Sequence, residues 1–191
     1  AITALQQTGK VSQIVTQNVD GLHYIADTKD VIDLHGRLSE IKCLNCEEIS
    51  KRSEYQPRLV KLNPELDQYQ ATIMPDGDAN VEDFDMAQIA IPPCESCGGV
   101  LMPNVVFFGG LVPKTRVENA FSTLAESDCL LVIGSSLKVF SGFRFPRWAS
   151  QNNLPLYAVN QGEMRGKELF DFILHEPCED VMPIIARELG N

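Results

Sequence analysis

The sequence predicts an α/β fold in which helices cover both faces of a parallel sheet and a small metal-binding module is inserted. Two features of the chain support this prediction. Short apolar segments alternate with helical segments in its second half, which is typical of a parallel sheet covered on both sides. Two Cys-x-x-Cys pairs, Cys43–Cys46 and Cys94–Cys97, interrupt this alternation and indicate a separate small module.

Each predicted strand is a short apolar or β-branched segment, and most end at a small or polar residue. Strands are predicted at 12–16, 31–34, 105–108, 128–133, 154–159 and 170–174. Helices are predicted at 53–62, 117–126, 146–152 and 179–189. Residues 63–93 are acidic and loop-like, with a turn signal at 75–78 (PDGD). Cys129 falls in an apolar strand, where we expect a buried free thiol.

The two cysteine pairs predict a structural zinc site. Four thiolates form a closed tetrahedral site that leaves no open position for water or substrate. We therefore expect the metal to stabilise the fold and to take no part in a reaction. Between Cys46 and Cys94 lie 47 residues, far more than the ~15–20 of a simple zinc ribbon, so the ion would join two distant parts of the chain.

Composition and charge restrict the partners that the chain can bind. Its 191 residues include 26 acidic and 16 basic side chains, which gives a net charge of −10. This balance argues against a nucleic-acid partner, which needs concentrated Lys and Arg, and mildly favours basic partners such as lysine-bearing segments. No apolar run reaches the ~20 residues that cross a bilayer, so no membrane partner is expected. Four metal-bound and two unpaired thiols fit a reducing compartment better than three disulfides do.

Small polar clusters follow three of the predicted strands, at 16–20 (TQNVD), 134–136 (GSS) and 160–162 (NQG). Ligands of an open parallel sheet bind beyond the carboxyl ends of its strands, and Ser and Asn can bond ribose hydroxyls. Any one cluster is better explained as ordinary turn sequence, but the three together favour a nucleotide site.

His35 and Asp20 each allow two interpretations. His35 follows the strand at 31–34, where an imidazole is a candidate general base; pattern alone favours a loop histidine that merely makes a hydrogen bond. Asp20 is either a residue that orients an amide or ribose, or a cap for a helix that starts near Gly21.

Taken in order, these segments resemble the sirtuins. The resemblance rests on 16–23 (TQNVDGLH), His35–Gly36, the two cysteine pairs, 103–109 (PNVVFFG), 134–137 (GSSL) and Asn160, and it covers nearly the whole chain. The segments 74–78 (MPDGD) and 139–145 (VFSGFRF) are most similar to class II sirtuins, which include bacterial members and a mitochondrial branch. Gly110 differs from the acidic residue that usually follows Phe-Gly in the family.

The resemblance implies a Rossmann-like NAD-binding domain at 1–37 and 101–191, and a zinc-binding small domain at 38–100. It implies an NAD-dependent protein-lysine deacylase of deacetylase or lipoamidase type, which transfers the acyl group of an acylated-lysine protein substrate to ADP-ribose and releases nicotinamide. The alternatives are a protein ADP-ribosyltransferase on the same scaffold and a non-catalytic zinc-ribbon protein-interaction module. A conventional dehydrogenase needs a Gly-x-Gly-x-x-Gly turn, which this sequence lacks. It is the zinc module and the context of His35 that disfavour this class.

The resemblance also implies roles for individual residues. His35 would act as general base on a ribose hydroxyl, and Asn18 would join it in catalysis and in NAD binding. The other NAD contacts would be Gln17, Val19, Asp20, Gly134, Ser135, Ser136, Asn160, Gln161, Gly162 and Cys178. The zinc ligands would be Cys43, Cys46, Cys94 and Cys97. The substrate backbone would pair with Val105, Val106, Phe107, Phe108 and Gly109.

The family's Gly-rich first strand and turn, which cradle the pyrophosphate, have no counterpart in this sequence. We therefore expect the chain to be the later part of something longer and to bind NAD poorly alone. The expected compartment is the cytoplasm, with the mitochondrial matrix as the alternative.

Overall fold

The computed structural model describes residues 1–65, 72–73, 79–80 and 86–190. The predicted turn at 75–78, and the segment 74–78 used in the resemblance, lie outside the described residues. Backbone contacts divide the chain into two compact units, the first formed by Ala1–Gly36 with Val106–Asn191 and the second by Arg37–Val105. These divisions fall one and five residues from the boundaries predicted at 37/38 and 100/101.

Helices and strands alternate through the first unit, and the second unit contains short antiparallel strands and one longer helix. In chain order the elements are α1 (Ile2–Gln7), β1 (Ile14–Thr16), α2 (Leu22–Ile25), β2 (Val31–Asp33), β3 (Gly36–Cys43), β4 (Ile49–Lys51), α3 (Arg52–Leu62), β5 (Thr72–Ile73), β6 (Ala79–Asn80), β7 (Leu101–Val105), α4 (Lys114–Ala125), β8 (Leu130–Ile133), α5 (Phe140–Gln151), β9 (Leu156–Val159), β10 (Phe172–Leu174) and α6 (Cys178–Leu189). Short 3₁₀ turns lie at Met86–Gln88 and Lys167–Leu169.

The strands of the first unit are all parallel, which confirms the predicted α/β class. β1 pairs with β2, and β9 lies between β8 and β10. Within the first unit the described strands form two parallel groups, β1–β2 and β8–β9–β10. Among the described residues no strand pairs with the second edge of β1 or of β8. The registers Thr16↔Asp33 and Ile133↔Val159 align the carboxyl ends of the paired strands.

Both faces of the β8–β9–β10 sheet are covered, as predicted. Successive side chains of a strand point to opposite faces. Ala158 belongs to a buried cluster with Leu137 and Met164, whereas Val159 belongs to a different cluster with Leu5 and Met182. The first cluster places a loop on one face, and the second packs helices α1 and α6 on the other.

Three predicted elements are corrected by the structure. The strand predicted at 105–108 lies at Leu101–Val105, because the chain turns at Phe107–Gly110, where Gly109 has a φ of 84° and the Gly110 amide bonds the Phe107 carbonyl. Helix α5 begins at Phe140 rather than at Pro146, since Phe145 and Ala149 bury one helical face on both sides of the proline. Cys129 precedes β8 and is exposed, so it is not a core thiol.

The second unit is built around β3, which lies between β4 and β7 and runs antiparallel to β4. β7 is an edge strand in this sheet, and an edge tolerates Pro103, which has no amide to donate. Ile41, Tyr55 and Leu101 form the apolar core together with two of the metal-site cysteines.

Asn63 ends helix α3 and is almost fully buried. Its amide nitrogen donates to the carbonyls of Leu59 and Ala90, at 2.7 and 2.8 Å, and its oxygen accepts from the Ala90 amide at 2.7 Å. The side chain therefore joins the end of the helix to a segment 27 residues further along. Within the described part of the chain, no helix combines the length and apolar character needed to cross a membrane.

Candidate functional site

The ring of His35 is held at both of its nitrogens. His35 lies two residues beyond the end of β2 and is half-buried. Nδ1 lies 3.2 Å from the backbone oxygen of Gln17, and Nε2 lies 2.7 Å from the hydroxyl oxygen of Ser141. Because a carbonyl oxygen can only accept, Nδ1 carries the proton of the neutral ring and Nε2 accepts from Ser141. Nε2 is then the atom that can take up a proton.

The surroundings of His35 favour the neutral ring. Burial lowers the pKa of His35 below its ordinary value of 6.5, and the positive charge of Arg116 lowers it further. The hydrogen bond to the Gln17 carbonyl opposes this shift. A neutral imidazole near pH 7 is the form that a general base requires.

Two of the three predicted strand-end clusters meet at Gln17. The hydroxyl of Ser135, after β8, lies 3.4 Å from the side-chain oxygen of Gln17, after β1. Gly142 of α5 lies against the same carboxamide, because a Cβ at 142 would fall 2.7 Å from the Gln17 Cδ. Strand ends of both sheets are therefore in contact beside His35, as the interpretation of these clusters as one site requires.

The third cluster lies beside Cys178 and beside Gly134, the first residue of the second cluster. The thiol of Cys178 donates to the carbonyl of Val159 at 3.3 Å, and a Cβ built on Gly134 would lie 3.5 Å from the same sulfur. The side chain of Asn160 is buried and bonds the carbonyl of Gly162 at 2.7 Å. Gly134, Asn160 and Cys178 therefore lie at the carboxyl ends of β8 and β9.

The remaining predicted contact residues make fewer connections. The side chain of Asn18 is exposed, while its backbone amide bonds the Thr16 hydroxyl at 3.1 Å. Asp20 accepts from the amide of Leu22 at 2.9 Å, which closes an Asx turn just before α2, whose N-cap is Gly21. Three further predicted residues take no part in the contacts described above: Val19, which is half-buried, and Ser136 and Gln161, which are exposed.

The predicted substrate segment is divided between two kinds of structure. Val105 is the last residue of β7, and the following residues continue outside any strand. The amide of Val106 donates to the carbonyl of His35 at 2.7 Å, which fixes the segment beside the candidate base. Phe107 and Phe108 are exposed, Phe108 almost completely, so a free apolar surface follows this contact.

The four paired cysteines lie in two turns with the same backbone hydrogen bonds. The amide of Cys43 donates to the Glu48 carbonyl, and its own carbonyl accepts from Glu47. The Cys94 turn repeats both bonds with Gly99 and Gly98. The fifth residue of each turn is left-handed, with φ of 62° at Glu47 and 72° at Gly98. Each turn thus presents two sulfurs from one tight loop.

The sulfur positions fit a four-thiolate zinc site. All four Sγ atoms lie within 4.8 Å of one another, with Cys43 and Cys97 separated by 3.5 Å and Cys46 and Cys94 by 3.8 Å. Zn–S bonds of ~2.3 Å in a tetrahedron place the sulfurs about 3.8 Å apart. The backbone amide of Cys46 is the main cause that lowers the pKa of the Cys43 thiol to about 6, whereas the pKa values of Cys46, Cys94 and Cys97 are raised, so proton loss from the four thiols begins at Cys43.

Sequence reasoning missed Ser141, whose hydroxyl bonds His35 across 106 positions of sequence. Ser141 belongs to the segment 139–145 that supports the resemblance, but nothing in the pattern of that segment indicates that its serine faces the histidine.

Parallel strands with polar residues at their carboxyl ends, together with a separate four-cysteine module, define an α/β protein with a candidate ligand site at its strand ends. The Sir2 family model matches residues 1–141. An NAD-dependent protein deacetylase of Xanthomonas axonopodis pv. citri is 45% identical over 185 residues, covering 97% of this chain and 63% of that protein. The NAD-dependent protein deacylase SIR4 of Monosiga brevicollis is 41% identical over 196 residues, covering 99% of this chain and 64% of that protein. The chain belongs to the Sir2 family, which confirms its resemblance to the sirtuins.

Solved structures agree with this assignment. "The structure of Sir2Af2 bound to a myristoylated histone peptide" matches with a TM-score of 0.72 and 28% identity, over 98% of this chain and 69% of that one. "Structural Basis for the Mechanism and Regulation of Sir2 Enzymes" matches with a TM-score of 0.74 and 28% identity, over 98% of this chain and 65% of that one. The chain spans just under two thirds of the length of the curated relatives that it matches. Similarity to class II in particular stays a prediction.

Proposed function

We propose that the protein is an NAD-dependent protein-lysine deacylase. The observation that carries this proposal is the neutral, doubly anchored His35 beside the contacting strand ends of Gln17 and Ser135. Membership of the Sir2 family and the names of the relatives, NAD-dependent protein deacetylase or deacylase, support the same activity. They give no support to the two alternatives, an ADP-ribosyltransferase and a non-catalytic zinc-ribbon module.

NAD is the co-substrate in this proposal, and it supplies a ribose carbon from which nicotinamide can depart. Neutral amide and hydroxyl groups suit its sugar and carboxamide parts, and the strand ends carry these groups on Gln17, Asn18, Ser135 and Asn160. We propose that Gln17 and Asn18, with Val19 and Asp20, serve the nicotinamide end. The other contacts would come from Gly134, Ser135, Ser136, Asn160, Gln161, Gly162 and Cys178.

His35 acts as the general base of the proposed reaction. The proton enters at Nε2, since Nδ1 already donates to the Gln17 carbonyl. Burial and the positive charge of Arg116 lower the pKa of His35, so the ring is neutral and can act as a base near pH 7. The Gln17 carbonyl then stabilises the protonated ring, because it continues to accept from Nδ1.

Acylated lysines of proteins are the proposed substrates. The exposed apolar segment Phe107–Phe108 follows the Val106 amide that is fixed to His35, so an acyl-lysine peptide laid along 106–109 would lie beside the base. We propose that Val105 extends this contact at the end of β7. The net charge of −10 favours the basic sequences in which such lysines often lie.

Zinc is proposed as the metal of the four-cysteine site, with a purely structural role. Cys43, Cys46, Cys94 and Cys97 use all four tetrahedral positions, so no position is left for substrate. Thiolate ligands persist in a reducing compartment, which is why we propose the cytoplasm or the mitochondrial matrix as the location.

Mass spectrometry of reaction products tests the proposed activity. The natural full-length protein is incubated with NAD and a panel of lysine peptides that carry acetyl, lipoyl or long-chain acyl groups. We expect free lysine peptide, nicotinamide and acylated ADP-ribose in equal amounts. The His35→Gln variant, which keeps a polar side chain but no base, should lose at least ~100-fold in rate while its zinc content is unchanged. Transfer of ADP-ribose to the peptide, or full activity of His35→Gln, would contradict the proposal.

A further inference from the structure

We propose that Ser141 is a positioning residue for His35: its hydroxyl fixes the orientation in which the ring accepts a proton, while the Gln17 carbonyl sets the tautomer. This inference rests on the proposed function, in which His35 is the base. Ser141 itself need not touch either substrate.

The contact between the two side chains is tertiary and well anchored. Ser141 is the second residue of α5 and is only 9% exposed. The helix that carries it is held by Phe145, which packs in a buried cluster with Leu34. Leu34 in turn precedes His35, and its amide bonds the Thr16 carbonyl at 2.9 Å. Both partners of the 2.7 Å contact are therefore attached to rigid parts of the first unit.

The choice of partner indicates a role beyond helix packing. A serine in a helix often bonds a backbone carbonyl within its own chain segment. The hydroxyl of Ser141 instead meets the Nε2 of a ring whose Nδ1 is already bonded to Gln17. Two fixed points, at opposite sides of the imidazole, stop its rotation and exclude the tautomer that carries its proton on Nε2.

A hydroxyl suits both protonation states of the base. It donates to the single lone pair of Nε2 while the ring is neutral. When the hydroxyl rotates away, that lone pair can take the proton of a substrate hydroxyl, and the Ser141 oxygen then accepts from the new N–H. The ring can therefore keep its position during proton uptake. An alanine at 141 would leave only the Gln17 bond, around which the imidazole can swing.

The test uses the natural full-length protein loaded with zinc. We expect Ser141→Ala to lower kcat about tenfold, because misplacement of a catalytic group costs rate, while KM for NAD and for the acyl peptide stays within about twofold. Ser141→Thr keeps the hydroxyl and should restore most of kcat. Ser150→Ala removes a hydroxyl from the same helix away from His35 and should leave kcat unchanged.

Nitrogen NMR of the histidine ring provides a readout that does not depend on activity. Near pH 7.5 the wild-type ring should show a protonated Nδ1 and an unprotonated Nε2. Ser141→Ala should keep the proton on Nδ1 but shift the Nε2 signal, because that nitrogen loses its hydrogen bond, whereas Ser150→Ala should match the wild type.

Two results would overturn the inference: a wild-type kcat with wild-type ring signals in Ser141→Ala, or a neutral wild-type ring protonated on Nε2. The second result decides the matter even if Ser141→Ala does not fold. If the wild-type protein shows no deacylation, the proposed function fails, but the ring signals still decide whether Ser141 fixes the histidine.

Discussion

The amide of Leu44 donates to the carbonyl of Val100 at 2.9 Å, so the two cysteine turns are bonded to each other through the backbone as well as by any shared metal. Buried Cys43 and Cys94 also belong to the apolar core of the second unit, whereas Cys46 and Cys97 are exposed. The metal site and the core of this unit are therefore one structure, and loss of the ion should loosen both.

Replacement of a buried cysteine by serine should release zinc and destabilise the protein. Because metal binding contributes folding free energy, we expect Cys43→Ser or Cys94→Ser to lower the thermal midpoint by about 10 °C or more. Cys46→Ser and Cys97→Ser should also lose zinc, with smaller loss of stability because these sulfurs lie outside the core. Metal analysis and thermal unfolding measure the two effects. Cys129→Ser is the matched control, since Cys129 is exposed and distant from the site in sequence; folded wild-type protein without zinc would contradict the assignment.

The dependence of rate on pH should report the surroundings of His35. Only the neutral ring is a base, so kcat/KM rises with pH through the His35 pKa, which burial and Arg116 hold below 6.5. Arg116→Gln removes a positive charge that disfavours protonation, so the acidic limb should move to higher pH. The measurement is a pH–rate profile of both proteins. A limb that stays in place, or moves to lower pH, would show that Arg116 does not act on the ring.

The buried side chain of Asn63 should contribute far more to the free energy of unfolding than an exposed asparagine at the end of another helix does. Asn63→Ala leaves the Ala90 amide and carbonyl without their partner and removes one of the two bonds to the Leu59 carbonyl. We expect this to cost about 2 to 4 kcal/mol of unfolding free energy. Asn152 also follows its helix and bonds the carbonyl four residues earlier, but it is exposed. Asn152→Ala should cost less than about 0.5 kcal/mol. Denaturant unfolding measures the loss of stability in both variants. Similar losses would show that the buried hydrogen bonds of Asn63 contribute no more to stability than the exposed one of Asn152.

Gly142 and Gln17 should be energetically coupled. Alanine is favoured over glycine inside a helix by about 0.8 to 1 kcal/mol, but a methyl group at 142 meets the Gln17 carboxamide. We therefore expect Gly142→Ala to give its full gain in stability only when Gln17→Ala is also present. Unfolding of the two single variants, the double variant and the wild type gives the coupling free energy. Equal gains in both backgrounds would mean that Gln17 moves aside at no cost.

The elements of the first unit were largely predictable because their periodicity is local. The strands ending at Thr16, Ile133 and Val159 are apolar runs followed by polar residues. The spacing of the paired cysteines likewise predicts a metal site directly. Pro146 misled the prediction of α5, because tertiary burial of Phe145 and Ala149 outweighs the local signal of a proline. The prediction that Cys129 is buried was also wrong, since hydropathy does not tell which end of an apolar run is exposed.

The contacts within the site depend on long-range packing and were harder to predict from the sequence. The bonds of His35 to Gln17 and Ser141 span 18 and 106 positions, and no local pattern encodes which atoms meet. Asp20 has a sequence context that fits two roles, and only the structure shows that its carboxylate bonds the Leu22 amide in a turn before α2. The sequence therefore predicted which strands end in polar clusters. Which nitrogen of His35 carries the proton could be inferred only from the three-dimensional arrangement.

The link between Asn63 and Ala90 pins the two flanks of a long acidic stretch to each other. Once the flanks are held, lengthening the stretch between them costs little, since a doubled loop adds only about 0.6 kcal/mol of closure entropy. Evolution can thus remodel that stretch without disturbing the neighbouring cysteines. A protein engineer could use the same position to graft a recognition peptide or a fluorescent reporter.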